Sequence, residues 1–449
     1  MTSPFQPACE IAVAPAARVY EHGWQSFSPS HAYRIGERPL RPASERNRIL
    51  NYRHDSAPGA DAFFGEGLLA VEDAFGATHV ISGVDPFATA TRIRAQVHHG
   101  RRAASLVVDA DGPVQVTTVA GGLDGALATW AGEAAAGAGV PAPRPAPTAW
   151  CSWYTYGGGV RPEDVHENLA AMDALELPVD VVQLDDGYSA GIGDWLVPSD
   201  RFPDLAGLVG RIRDSGRRAG IWIAPFLAAA DSALATEHPD WLVRRPHGAP
   251  VHAGNNWGRD LCALDVTHPD AAAWLHGVVT TFVGWGVDYL KADFLAAGAV
   301  PGLRHSGADP VTAYREGLRL LRDALGPDAH LLGCGAPVLP SVGLVDSLRV
   351  SADTDAEMEP GDGDYSQPSQ AAARLGGRGR QFMNGVLFVN DPDCLIVAEH
   401  VADRGGWADH VAATRGAVVS SDRLGTLDAW GLDRTRQLLT AAAAGWPEA

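Results

Sequence analysis

The sequence predicts an α/β protein: a (β/α)8 TIM barrel preceded by an N-terminal antiparallel β-sandwich, with no separate C-terminal β-domain. Three observations carry this. Residues 148–420 hold eight short apolar runs alternating with helix-like stretches, the pattern of parallel strands closed into a barrel. Residues 1–145 instead show short alternating runs punctuated by Gly, Asp and Pro, which suits antiparallel strands. Between them Pro141, Pro143, Pro145 and Pro147 make a stiff linker, so the division falls into a sandwich over 1–145 and a catalytic barrel over 146–449.

In the first part the runs Leu68 to Val71, His79 to Ser82 and Ala104 to Val108 read as strands, and the Ala-rich stretch 123–137 as a helix. In the second part strands are expected at 148–153, 179–184, 219–225, 287–294, 330–334, 345–351, 386–390 and 416–420. Helical patterns lie at 162–174, 205–215, 271–285, 310–325, 369–382 and 401–414. A last helix over 433–444 ends close to the C-terminus.

Composition narrows the function. The 449 residues carry a formal charge of −19, with 35 Lys and Arg against 54 Asp and Glu, which disfavours nucleic acid and anionic membranes as partners. A neutral, small-molecule oligosaccharide or polyol suits this balance better. The five cysteines (Cys9, Cys151, Cys262, Cys334 and Cys394) are odd in number and contain no C-x-x-C pair, so neither a disulfide framework nor a zinc site is read. No basic stretch followed by an apolar one opens the chain, and no uninterrupted apolar run reaches membrane-spanning length. The expected location is the cytoplasm.

Of the 35 basic residues, Lys291 alone is lysine. Base composition explains the arginine bias but not the single exception. Arg is a wide planar fork and Lys a compact ammonium on a thin stem, so a site admitting only the second shape is a natural place for Lys291.

Barrels of this kind do their chemistry at the C-terminal strand ends. Here those ends carry Cys151 to Tyr154, Asp185-Asp186, Trp222 to Pro225, Lys291-Ala292-Asp293, Gly333-Cys334-Gly335, Arg349 to Asp353 and Asn390 to Asp393. Lys291 and Asp293 share one wall by strand parity, as do Arg349, Ser351 and Asp353. Two carboxylates on strands four and six suit a nucleophile and a general acid/base, with a neighbouring cation keeping the first ionised. Simple rim ion pairs are the alternative. For Asp185-Asp186 metal ligation, proton chemistry and hydroxyl binding all stay open; no His or Glu joins them at ligand spacing, which favours hydroxyl binding. Trp153 and Trp222, at strand ends, are placed to meet a ligand, and Trp24 of the first part is placed to reach over the barrel mouth.

The ordered set Trp153-Tyr154, Gln183 to Tyr188, Gly193-Asp194-Trp195, Gly220 to Phe226, Leu290 to Phe294, Leu332 to Gly335, Arg349 to Thr354 and Asn390 to Leu395 resembles the α-galactosidases of glycoside hydrolase family 36, clan D; Gly23-Trp24-Gln25-Ser26 adds a match in the first part. The resemblance implies a retaining exo-α-galactosidase, metal-independent and without cofactor, releasing terminal α-1,6-linked galactose from oligosaccharides such as melibiose or raffinose. It places the nucleophile on Asp293 and the acid/base on Asp353. It places sugar binding on Asp185, Asp186, Lys291, Cys334 and Arg349, with Trp222 and Trp153 lining the site and Trp24 and Trp257 approaching it. Members usually carry a C-terminal β-domain that this chain lacks, and its first domain is shorter; a homo-oligomer is compatible with the reading. An α-N-acetylgalactosaminidase or an α-galactosyl transferase using the same carboxylates is the rival, and a non-catalytic carbohydrate-binding barrel or a metal-dependent sugar isomerase the rival of another class.

Overall fold

The computed structural model describes residues 5–41, 44, 59–100 and 104–446. Two antiparallel sheets form the first part. One runs Gln6–Val13, Ala104–Ala110, Arg92–His99, Ala62–Glu66 in spatial order, and the other His31–Arg34, Arg18–Glu21, Leu68–Glu72, Ala77–Gly83, Val114–Ala120. Alternate residues make the core between them: Ile11, Val13, Val19, Leu69, Val71, Ile81, Ile93, Val97, Leu106 and Val108.

The run Leu68 to Val71 is apolar at every position because both faces of its strand are covered. Leu69 and Val71 face the sandwich core, whereas Leu68 and Ala70 belong with Val80 and Tyr20 to the large core shared with the barrel. The helix Leu123–Gly137 contributes Leu127, Trp130 and Ala131 to that shared core. Phe382 bridges the parts, with its ring 5.8 Å from Tyr20 and 6.3 Å from Trp130.

The barrel strands, one to eight, are Ala149–Cys151, Val181–Leu184, Arg218–Ile223, Val287–Ala292, His330–Gly333, Ser347–Arg349, Val389–Asp391 and Val419–Ser420. All pair in parallel in sequence order, and strand eight returns to strand one. Strands seven and eight are too short to pair along their lengths. Instead Leu395, just beyond strand seven, donates to Val419 at 2.7 Å and accepts from Ser421 at 3.0 Å. That closes the ring.

Helices start where the sequence offers caps. Asp309 accepts from the amides of Val311 and Thr312 ahead of Pro310–Leu325, and Pro at the first helical position loses no hydrogen bond. Asp204 and Ser369 cap Leu205–Asp214 and Gln370–Gly379 in the same way. The helix expected to run to 382 stops at Gly379, where a Cβ would lie 1.8 Å from the Ser30 carbonyl oxygen. Its neighbour Arg380 turns inward to bind that same first-domain segment.

An excursion missing from the alternating pattern follows strand three: a three-stranded sheet of Leu227–Ala229, Arg259–Ala263 and His252–Asn256. After strand eight the described residues hold one turn of 3-10 helix and the helix Ala429–Ala443, four residues earlier at its start than expected. No helix among the described residues is long and apolar enough to cross a membrane.

Candidate active site

The carboxylates expected to do chemistry lie in contrasting surroundings. Asp293 follows strand four and is 8% exposed. Its Oδ2 accepts from Trp222 Nε1 at 3.0 Å, and its Oδ1 from the Phe294 amide at 2.6 Å. Phe294 reaches this position with φ +50°, a left-handed conformation uncommon for a bulky residue. Lys291, on that strand, gives its hydrogen bond to another carboxylate. Its Nζ extends past strand three to Asp185 Oδ2, 2.9 Å away. Strand parity put Lys291 and Asp293 on one wall correctly, but a lysine stem is long enough to choose a farther partner.

Asp185 is 2% exposed and saturated with donors. Besides Lys291, Gln183 Nε2 and Cys151 Sγ donate to Oδ2 at 2.8 and 3.4 Å, and the Asp186 amide donates to Oδ1 at 2.9 Å. Burial alone would raise its pKa; the Lys291 charge and these donors overcome that and lower it. Asp186 goes the other way, raised by burial and by the charge of Asp185. It is half-buried, and Trp257 Nε1 donates to it at 2.8 Å.

Asp353 stands four residues beyond Arg349, where strand six ends, so parity along a continuous strand is not what brings the two together. The loop folds back, and Arg349 donates to Asp353 Oδ1 at 2.9 Å. Arg349 itself is 2% exposed and also meets Asp391 Oδ2 at 3.2 Å and Asp393 Oδ1 at 2.6 Å. Asp391 is its direct register neighbour on strand seven. Asp353 keeps a third of its side chain open to a cavity. Enclosure on its other sides, then the charges of Asp393 and Asp293, push its pKa up to about 7 against the pull of Arg349 and Lys291. A carboxyl poised near neutrality can hold and return a proton; one bonded by two N–H groups can act as an anion.

A family model described as Melibiase matches residues 163–313. The fold superposes on the α-galactosidase TtGalA of Thermus thermophilus with a TM-score of 0.80 and 30% identity, covering 98% of this chain and 90% of that one. The chain belongs to glycoside hydrolase family 36. Among curated relatives, the bifunctional α-galactosidase/sucrose kinase AgaSK of Mediterraneibacter gnavus is 30% identical over 132 residues, 27% of this chain. The α-galactosidase AgaA of Geobacillus stearothermophilus is 27% identical over 168 residues, 34% of this chain. Those stretches span only 14% and 22% of the two proteins.

In this family 36 barrel a cavity of about 540 Å³ opens beside Asp353. Trp24, Gln25 and Phe27 of the first domain line one wall, and Val251 to Asn256 with Ser366 to Pro368 line others. Asp293 lies behind two more lining residues, Phe294 and Gly335. The Trp24 segment is fixed by Arg380, fully buried, whose guanidinium donates to the carbonyls of Ser26 (2.9 Å), Gln25 (3.0 Å), Ser28 (2.8 Å) and Val350 (2.7 Å). Trp24, expected at the mouth, is there.

Trp257 sits at the tip of the hairpin joining His252–Asn256 to Arg259–Ala263. Asn256 pairs with Arg259, leaving Trp257 and Gly258 as a two-residue turn with φ +53° and +69°. Such turns favour Asn-Gly or Gly-Gly, so a tryptophan here is a local cost that its bond to Asp186 and its packing on Trp222 and Phe294, rings 6.2 and 5.2 Å apart, offset.

Two expected platforms differ from expectation. Trp222 is 2% exposed, with its N–H committed to Asp293 and its ring edge-on to Trp195 at 5.8 Å; it braces a carboxylate and presents little face to a ligand. Trp153 opens the short helix Trp153–Tyr156, packs on the core of Ala149, Cys151 and Cys394, and is not among the cavity-lining residues. Cys334 is fully buried at the end of strand five. Its neighbour Gly335 stood among the strand ends read from the sequence, without a role toward Asp293. At φ +52° it lies so close to Asp293 that a Cβ would come 3.2 Å from Oδ1, and its only signal was the Gly-Cys-Gly run at a strand end. Asp391 and Asp393, at the end of strand seven, turn oxygens to Arg349.

Proposed function

We propose that this chain is a retaining exo-α-galactosidase that hydrolyses terminal α-1,6-linked galactose from neutral oligosaccharides of the melibiose and raffinose kind. The observation that carries the reading is the contrast between Asp293, bonded by two N–H groups, and Asp353, whose carboxyl holds its proton to about pH 7 at the edge of an open cavity. In the first step an Asp293 oxygen attacks the anomeric carbon. The bond from that carbon to the leaving oxygen breaks, and Asp353 gives the oxygen its proton. In the second, Asp353 takes a proton from water, the water oxygen attacks the anomeric carbon, and the bond to Asp293 breaks. The positive charge developing on the ring in both steps lies beside the Asp293 carboxylate.

Asp185, Asp186, Lys291, Arg349 and Cys334 take the galactose, with Trp257 beside it and Trp222 bracing Asp293. The cavity beside Asp353 takes the leaving sugar: its amides Gln25, Asn255, Asn256 and Gln367 suit uncharged hydroxyls. The solved complexes of TtGalA with p-nitrophenyl α-D-galactopyranoside and with stachyose support this class of substrate. No step in the scheme uses a metal, and the reading includes a cytoplasmic location and a sandwich–barrel boundary near residue 145.

The test is a panel of p-nitrophenyl glycosides (α-galactoside, α-N-acetylgalactosaminide, α-glucoside) with and without EDTA, followed by proton NMR of the first-formed sugar. Hydrolysis of the α-galactoside, unchanged by EDTA and giving α-galactose first, is the expected result. β-Galactose first, or loss of activity with EDTA, overturns the mechanism.

A further inference from the structure

Asp393 is fully buried, does not line the cavity beside Asp353 and takes no part in the scheme above. Yet its two oxygens join three parts of the barrel rim, those after strands one, six and seven. Oδ1 forms an ion pair with Arg349 at 2.6 Å and accepts from the Cys394 amide at 2.6 Å; Oδ2 accepts from the Thr354 amide at 2.7 Å and from the Tyr154 hydroxyl. Thr354 is the residue after Asp353, and Tyr154 stands in the loop after strand one. Asp393 holds this position with φ +91°, outside the region that non-glycine residues ordinarily adopt. A strained, buried carboxylate with three donors and an ion pair is over-determined by its surroundings, and such positions cluster at working sites.

We infer that Asp393 is a positioning residue for Asp353: it fixes the backbone next to Asp353 and draws the Arg349 guanidinium away from it. Arg349 is shared among three carboxylates, and its contact with Asp393 is the shortest. Asp353 therefore has a cation that is mostly committed elsewhere and a second carboxylate, Asp393, close by. The other ionisable groups around it are Asp293 and Lys291 from strand four, Cys334 from strand five and Tyr154 from the loop after strand one. None of these bridges to its backbone. Both effects of Asp393 keep the proton on Asp353 that the leaving sugar needs, so the inference rests on the acid/base assignment proposed above.

The test is the pH profile of kcat/KM on raffinose for the full chain and two variants. Asp393→Asn keeps the volume and an acceptor for the Thr354 amide but removes the charge, freeing Arg349 for Asp353. The basic limb is expected to move down by roughly one pH unit, a tenfold change in proton affinity. Tyr154→Phe removes a donor from Asp393 and leaves its charge less neutralised, so the limb is expected to move up. Opposite shifts from two neighbouring substitutions are not what general loosening produces. A limb that stays in place in both variants, with kcat/KM lowered evenly at all pH values, overturns the inference. The profile of the unsubstituted chain on a 2,4-dinitrophenyl α-galactoside, whose leaving group departs without protonation, separates the two layers. A basic limb that survives in it overturns the acid/base assignment, and this inference with it. A limb that belongs to Asp353 but ignores Asp393 overturns the inference alone.

Discussion

Lys291 Nζ and Asp185 Oδ2 lie 2.9 Å apart at the bottom of the site, both nearly sealed from solvent. The bond spans strand three and ties the ends of strands two and four. It divides the labour among the acidic residues. Asp185 receives the one lysine of the chain, whereas Asp293 is held by neutral donors, Trp222 and the Phe294 amide. The nucleophile proposed here is thus bounded by hydrogen bonds without a direct ion pair.

Replacing Lys291 with Arg is expected to lower kcat/KM at least ~100-fold, or ~2.7 kcal/mol of transition-state stabilisation. The planar fork needs width that a 6%-exposed position among Asp185, Cys151 and Cys334 does not offer. A rim lysine with solvent on one side would leave folding untouched, but this one is buried. The thermal melt is therefore expected to fall too, since overpacking costs typically ~1–3 kcal/mol. Steady-state kinetics with a melt decide: a variant normal in both shows that Lys291 is interchangeable with the residue used everywhere else.

The strands and most helices were legible because apolar runs, prolines and capping residues act locally. Asp309-Pro310 announces its helix whatever the rest of the chain does. The candidate residues were legible as a list of strand ends, since strand ends converge in any closed barrel. Their pairings were not. Which carboxylate Lys291 meets depends on the reach of its stem past strand three. The bond between Arg349 and Asp353 depends on a loop that no periodicity describes. The hairpin carrying Trp257 escaped for a related reason: its strands are exposed and polar (His252, Asn255, Asn256, Arg259, Asp260), so they lack the alternation that marks a half-buried strand.

Gly335→Ala is expected to impair turnover more than folding. A Cβ there would sit 3.0 Å from the Phe294 nitrogen and 3.2 Å from Asp293 Oδ1, and φ +52° already disfavours any side chain. The neighbours must move, and they are the Phe294 backbone and the proposed nucleophile. A fall of at least tenfold in kcat is expected, about 1.4 kcal/mol of barrier. Wild-type kcat in a folded Gly335→Ala protein would show that Asp293 is not held as tightly as its two bonds imply.

The pH dependence follows from Asp353. Its pKa of about 7 is raised from the ordinary carboxylate value, so the protonated form persists through pH 6 and is lost above pH 7. On raffinose, where the leaving oxygen needs that proton, kcat/KM is expected to decline as pH rises through about 7. With a 2,4-dinitrophenyl leaving group, which departs without protonation, the decline in the first step disappears. Identical limbs for both substrates would assign the titration to another group.

Trp222→Phe separates two readings of one residue. As a sugar platform, Trp222 would lose stacking area, and the loss would appear in KM. As a brace for Asp293, it loses one N–H donor to a buried carboxylate while the aromatic volume is largely kept. Its 2% exposure and its 3.0 Å bond favour the brace. Hydrogen bonds to charged groups contribute about 1.5–3 kcal/mol, so kcat is expected to fall roughly 10- to 150-fold. KM should stay within about threefold, because ground-state binding of galactose does not draw on that bond. The melt should drop only modestly, since the Phe294 amide still satisfies the other carboxylate oxygen. If KM rises instead and kcat holds, the ring meets the sugar after all, and Asp293 is positioned by Phe294 alone.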